Sequence, residues 1–264
     1  MRRLALAAAF LTLASGAARA TLAPADLAAV ALSPPPAAAL PPATIVRTTA
    51  GQDLPLADVL RRHPANLVLF VDYTCNSVCG AALSIAASSL RTPEVADLDA
   101  GLVVIGLDPK DGPEAARAMA DAALPPDPGL RRSIAFLSAD PAAVATLTDA
   151  VGYRYAYDPQ TDQFAHPSGV LATDGGGRVA RVLSSLSLAP EPLRLALVDA
   201  GKGKVGTLLD QIVLRCYAFD PAAGVYTSRI WTIMQVLGTG FTLAAGALIL
   251  LLLRRSPRRA GGPA

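Results

Sequence analysis

The chain has 264 residues, 52% of them hydrophobic and 17% charged, with a mean hydropathy of +0.41. That length holds one or two globular domains, the composition excludes a disordered polyampholyte, and three cysteines exclude a disulfide-rich miniprotein. The formal charge of +2 conceals an asymmetry: Arg2, Arg3, Arg19, Arg254, Arg255, Arg258 and Arg259 supply seven of the 23 basic residues from two ends that carry no acid, leaving 16 basic against 21 acidic residues between them. A mildly acidic middle without a basic patch is not a nucleic-acid surface, so no nucleic-acid partner is expected.

Residues 1–20 read as a secretory signal. Arg2 and Arg3 form the charged start, Leu4 to Leu13 a short apolar run, and Ala18-Arg19-Ala20 a small-x-small cleavage site before Thr21. An uncleaved N-terminal anchor is the alternative. Residues 21–42 hold Ser33-Pro34-Pro35-Pro36 and Pro41-Pro42 in an Ala/Pro-rich stretch, predicted to be an extended, poorly ordered linker. The folded domain is expected over residues 43–203.

Within it, Leu67 to Tyr73 and Leu102 to Leu107 are continuous apolar runs, the pattern of strands buried on both faces. Cys75 to Leu90 between them has helical spacing. Pro113 to Ala123 is predicted to be a helix with Glu114 in its first turn, and Ile134 to Leu137 a third strand. Asp140-Pro141 caps a helix to about Ala150. Val170 to Thr173 and Val179 to Leu183 flank Asp174-Gly175-Gly176-Gly177 as a hairpin, and Glu191 to Ala200 is a last helix ended by Gly201. The order β-α-β-α-β-α-β-β-α implies an α/β sheet with helices on both faces.

After a juxtamembrane segment, 204–229, comes the best spanning candidate. From Ile230 to Leu253 the one strongly polar residue is Gln235, and 24 helical residues reach about 36 Å, enough for a hydrocarbon core of about 30 Å. Trp231 opens the run, and the arginines of the tail, 254–264, close it. The positive-inside rule places that tail in the cytoplasm and the domain outside, the side a secretory signal also gives.

The chemistry concentrates at Cys75 and Cys79. A C-x-x-x-C pair between a buried strand and a helix start puts both sulfurs on one helical face, where the helix N-terminus favours thiolate. Two thiolates suit a soft ion such as Cu(I); they can also close to a disulfide, catalytic or merely structural. A third ligand would come from the two histidines. His166, in Phe164-Ala165-His166-Pro167-Ser168-Gly169, precedes the hairpin strand; His63 precedes the first strand and belongs at its opposite end. A solvated loop histidine is the plainer reading of either. Cys216, about 14 residues before the apolar run, reads as a buried or membrane-proximal thiol. Asp72, Asp108 and Asp111 sit at strand ends, either supporting a site or capping loops.

Phe70-Val71-Asp72-Tyr73-Thr74-Cys75-Asn76-Ser77-Val78-Cys79 resembles the Cys-x-x-x-Cys corner of the Sco/SenC family, thioredoxin-like copper-binding assembly proteins of the bacterial periplasm and mitochondrial inner membrane. Leu107-Asp108-Pro109-Lys110-Asp111-Gly112-Pro113-Glu114 is similar to that family's Asp-Pro-x-x-Thr-Pro-Glu segment. Ala165-His166-Pro167-Ser168-Gly169, followed by Asp174-Gly175 and Arg178, is similar to the segment carrying its histidine ligand. Gly203-Lys204-Val205-Gly206, Asp210-Gln211 and Cys216-Tyr217-Ala218-Phe219-Asp220-Pro221 resemble a bacterial subgroup anchored at its C-terminus. The resemblance spans about residues 45–235, with Asn76 and Gly80 where many relatives carry proline and Phe-Ala-His-Pro in place of Asp-His-Ser. It implies a thioredoxin-like fold and one copper ion held by Cys75, Cys79 and His166. It implies a chaperone delivering copper to the copper-bearing subunit of a haem-copper oxidase, from the outer face of the bacterial cytoplasmic membrane. A thiol-disulfide oxidoreductase that keeps the client's cysteines reduced is the alternative, and a redox or copper sensor a third.

Overall fold

A computed structural model describes residues 22, 24–75, 78–185, 188–201, 217–220 and 225–228, and single positions at 239, 241 and 243. Helix α1 (Pro24–Ala29) and strand β1 (Ala31–Leu32) lead to a hairpin of β2 (Ile45–Thr48) and β3 (Asp53–Pro55), then to α2 (Leu56–Leu60). The centre is β4 (Ala65–Val71), α3 (Cys79–Ser89), β5 (Ala100–Gly106), α4 (Pro113–Ala123), α5 (Pro128–Arg132), β6 (Ile134–Ser138) and α6 (Pro141–Ala150). Short strands β7 (Tyr153–Arg154), β8 (Ala156–Asp158) and β9 (Gln163–Ala165) precede β10 (Gly169–Asp174), β11 (Val179–Ser184) and α7 (Pro190–Ala200). A further hairpin joins β12 (Tyr217–Asp220) to β13 (Val225–Ser228).

Seven strands form the main sheet in the order β11-β10-β4-β5-β6-β2-β3. The three central strands β4, β5 and β6 are parallel, and the flanking pairs are antiparallel. All seven residues of β4 and of β5 are buried, as their unbroken apolar runs require of strands covered on both faces. Alternation along β4 divides the core. Leu67, Leu69 and Val71 face a layer with Leu83 of α3, Met119 of α4 and Leu193 and Leu197 of α7. Val68 and Phe70 face Leu56 and Leu60 of α2 and Val144 and Leu147 of α6.

Two expectations change. The Ala/Pro-rich stretch is not a free linker over its described length. β1 pairs with β7, the Ser33 amide donates to the Gly152 carbonyl (3.0 Å), and Leu40 is fully buried in the second core layer. Gly152, at φ +61°, is what lets this strap lie so close: a Cβ there would sit 2.1 Å from the Ser33 carbonyl oxygen. Second, the helix expected from Cys75 begins at Cys79. Asp72 causes the delay. Its Oδ1 accepts from the Thr74 amide and hydroxyl, both at 2.9 Å, and its carbonyl accepts from the Cys75 amide, an Asx-type turn that competes with helix.

The predicted leader, 1–20, and tail, 254–264, lie outside the described residues, as do Cys216 and all but three positions of 230–253. Of those three, Thr239, Phe241 and Leu243 are helical, and Phe241 and Leu243 are exposed. No helix among the described residues is long and apolar enough to cross a membrane.

Candidate metal centre

The site lies beyond the C-terminal end of β4, where the chain leaves the sheet for α3. Cys75 is in the connecting turn and partly exposed; Cys79 opens α3 and is 1% exposed. Neither is in a disulfide, and the Cys75 side chain lies close enough to Cys79 to raise its pKa. Cys75 lies ahead of α3, so the two sulfurs do not share a helical face.

Cys79 is not the thiolate expected at a helix start. Burial pushes its thiol up to about 12, and the neighbouring Cys75 thiol pushes the same way, against the Asp72 backbone N–H that donates to the sulfur. Desolvation is the largest cause.

His166 reaches this corner from the neighbouring strand β10. The antiparallel register of β10 on β4, Val170 opposite Leu69, runs the chain upstream of β10 toward the C-terminal end of β4. Pro167 disfavours a helical backbone at the residue before it, which helps to hold His166 extended. His166 Nε2 lies 3.2 Å from Cys79 Sγ. That is shorter than the roughly 4.3 Å sum of typical metal–sulfur and metal–nitrogen bonds, so one ion can touch both atoms. Burial lowers the His166 pKa, favouring the neutral ring that a metal needs. Among the described residues no three Cys, His, Asp or Glu side chains already form a closed metal cage. Cys79 and His166 are in contact, and Cys75 joins them through Cys79.

His63 is at the opposite end of β4, its Nδ1 2.6 Å from Asp99 Oδ1. The three aspartates organise the loops around the corner. Asp111 Oδ2 accepts from the Tyr73 amide (3.0 Å) and Asp108 Oδ1 from the Lys110 amide (2.8 Å). Asp72 is 1% exposed, and its Oδ2 has no hydrogen-bond partner among the described residues. Burial, then repulsion from Asp72 and Asp108, raises the Asp111 pKa to about 6. Lys110 pairs with Asp162 (2.6 Å) and lies over the Tyr157 ring, tying the loop after β5 to the β8–β9 hairpin just before His166.

Sequence reading missed Tyr153. Its hydroxyl lies 2.9 Å from His166 Nδ1 and 3.2 Å from the Pro167 carbonyl oxygen. The signal was the alternation Tyr153-Arg154-Tyr155-Ala156-Tyr157, the period of a strand with one aromatic face.

No family model matches the chain, and no curated protein matches it in sequence. Solved structures do match in fold. A proposed electron transfer protein from Aquifex aeolicus VF5 superposes with a TM-score of 0.51 at 16% identity, over 62% of this chain and 93% of that one. A SCO1/SenC family lipoprotein from Bacillus anthracis gives 0.50 at 19%, over 61% and 92%. BsSco, described as a member of the Sco family of cytochrome c oxidase assembly proteins and as carrying a disulfide switch, gives 0.50 at 16%, over 66% and 99%. The fold is thioredoxin-like and of the Sco type. At these identities the likeness is one of fold.

Proposed function

We propose that this protein is a copper chaperone, anchored to the outer face of the bacterial cytoplasmic membrane by residues 230–253, that assists assembly of the copper centre of a haem-copper oxidase. The observation that carries the reading is the 3.2 Å approach of His166 Nε2 to Cys79 Sγ, with the Cys75 side chain close enough to raise the Cys79 pKa. Two thiols and a neutral imidazole suit Cu(I). Copper is the cargo, and its charge offsets the burial that keeps Cys79 protonated in the free protein. Partly exposed Cys75 is where a client ligand can first reach the ion, and a membrane anchor raises the donor's effective concentration at a membrane-bound client.

The test is copper titration of the purified protein with metal analysis and X-ray absorption. One copper bound by two sulfurs and one nitrogen is expected. His166→Ala is expected to abolish stoichiometric binding while Cys75–Cys79 disulfide formation persists; undiminished binding in that variant sinks the three-ligand site.

One observation favours a second reading, thiol-disulfide exchange with a client: the exposed and buried sulfurs are adjacent. The Cys75 thiolate would attack a client disulfide to give a mixed disulfide and release one client thiol. Cys79 would then displace the second, leaving Cys75–Cys79 oxidised and the client reduced. No copper uptake with rapid exchange would select this reading.

A further inference from the structure

We infer that Tyr153 is a positioning residue for His166: its hydroxyl fixes the imidazole with the proton on Nδ1, so that Nε2 presents a lone pair toward Cys79. The inference rests on the copper reading for its purpose but not for its geometry. Three polar atoms form a closed triangle. Tyr153 Oη is 2.9 Å from His166 Nδ1, Tyr153 Oη is 3.2 Å from the Pro167 oxygen, and Nδ1 is 3.2 Å from that same oxygen. The Pro167 carbonyl can only accept.

Two proton arrangements are possible. With the proton on Nδ1, the ring donates to Tyr153 Oη and the phenol donates to Pro167, so both contacts are used and the carbonyl is satisfied. With the proton on Nε2, the phenol donates to Nδ1. The carbonyl then loses the phenol, and a lone pair on Nδ1 faces a lone pair on oxygen at 3.2 Å. Leaving a part-buried acceptor without a donor is unfavourable, which biases the tautomer. The favoured form also suits the other side of the ring, because the protonated Cys79 thiol can donate to the Nε2 lone pair at 3.2 Å.

Tyr153 can impose this because it cannot move. It is 2% exposed, and its ring packs against Phe70 at a centroid distance of 4.7 Å and against Tyr155 at 6.4 Å. Its backbone is paired with Leu32 of the N-terminal strap. The His166 ring meets the Tyr153 hydroxyl end to end, with the ring planes 27° apart and the centroids 6.3 Å apart. A fixed partner on the non-coordinating nitrogen is the arrangement that orients histidine ligands generally.

The test uses the metal-free protein. Long-range proton–nitrogen NMR correlation at mildly alkaline pH reads the His166 tautomer directly. The wild type is expected to carry the proton on Nδ1, and Tyr153→Phe, which removes one oxygen and leaves Nδ1–H only the Pro167 oxygen at 3.2 Å, is expected to raise the share of the other tautomer. A proton on Nε2 in the wild type overturns the inference and needs no variant to fold. So does an unchanged tautomer in a folded Tyr153→Phe protein, a result that a purely packing role would give. Cu(I) competition provides a second readout: Tyr153→Phe is expected to bind about 10- to 100-fold more weakly, with Cys75 and Cys79 still forming their disulfide, and equal affinity overturns the inference. A wild type with the expected tautomer that takes up no copper would sink the chaperone reading while leaving the role of Tyr153 in place.

Discussion

At the residue scale the two cysteines are unequal despite their symmetry in sequence. Cys75 is partly open to solvent, whereas Cys79 is buried with its pKa pushed to about 12. In a Cys216→Ser background, a bulky maleimide is therefore expected to modify Cys75 at least tenfold faster than Cys79. Mass spectrometry of the digested protein measures both rates, and equal rates would show that the corner opens readily. Asp111 supports a second prediction. Its folded pKa, about 6, lies above the ordinary carboxylate value near 4, so the folded state binds the extra proton. Stability from this group is complete below about pH 4 and is lost as pH rises through 6. Asp111→Asn keeps an oxygen for the Tyr73 amide and removes the charge. It is expected to flatten the pH dependence of unfolding between pH 4 and 6 and to stabilise the protein near neutrality by on the order of 1 kcal/mol. An unchanged slope in urea titrations across that range would show that Asp111 is not the group responsible. The cysteines, His166 and these aspartates could be singled out in the sequence. That burial raises the Cys79 pKa could not be read there, because it depends on what covers the sulfur.

At the element scale, long elements were legible and short ones were not. β4 and β5 declare themselves by unbroken apolar runs, and α6 begins at the Asp140-Pro141 signal, with Asp140 accepting from the Ala143 amide. The same Asp-Pro signal stands at Asp127-Pro128, where Asp127 caps α5 through the Gly129 and Leu130 amides, yet that helix has only five residues and no periodicity to announce it. The two- to four-residue strands β1, β2, β3, β7, β8 and β9 are likewise too short to show a period of two, and they exist because longer strands or loops pair with them. The strap illustrates the consequence. Pro34 to Pro36 and Pro41-Pro42 look like a spacer, but Leu40 between them fills the core beside Leu60 and Val179. Leu40→Ala is expected to destabilise the domain by about 2–4 kcal/mol, the range for a leucine removed from a close-packed interior. Denaturant unfolding measures it, and a change below roughly 0.5 kcal/mol, the size of ordinary surface effects, would return the segment to the status of a linker.

At the scale of the whole molecule, the sequence separates an acidic α/β domain from two arginine-flanked apolar ends, and the Sco-type sheet occupies the part between. Deleting residues 230–264 is expected to move the protein from the membrane to the soluble fraction with its copper stoichiometry unchanged; retention on membranes would mean that another segment holds it there. The site itself is assembled across the sheet, the cysteines from the exit of β4 and the histidine from the entry to β10, so only the pairing of those strands brings them together. This fixes where the chain can change length. One residue added between His166 and Val170 displaces the ring by about 3.4 Å, the rise of one strand residue, which exceeds the whole 3.2 Å gap between Nε2 and the sulfur. The Asp174–Arg178 turn closes the same hairpin at the opposite end of β10, away from the site. Insertions there leave the Leu69–Val170 pairing intact, so natural length variation and engineered tags belong at that end of the strand.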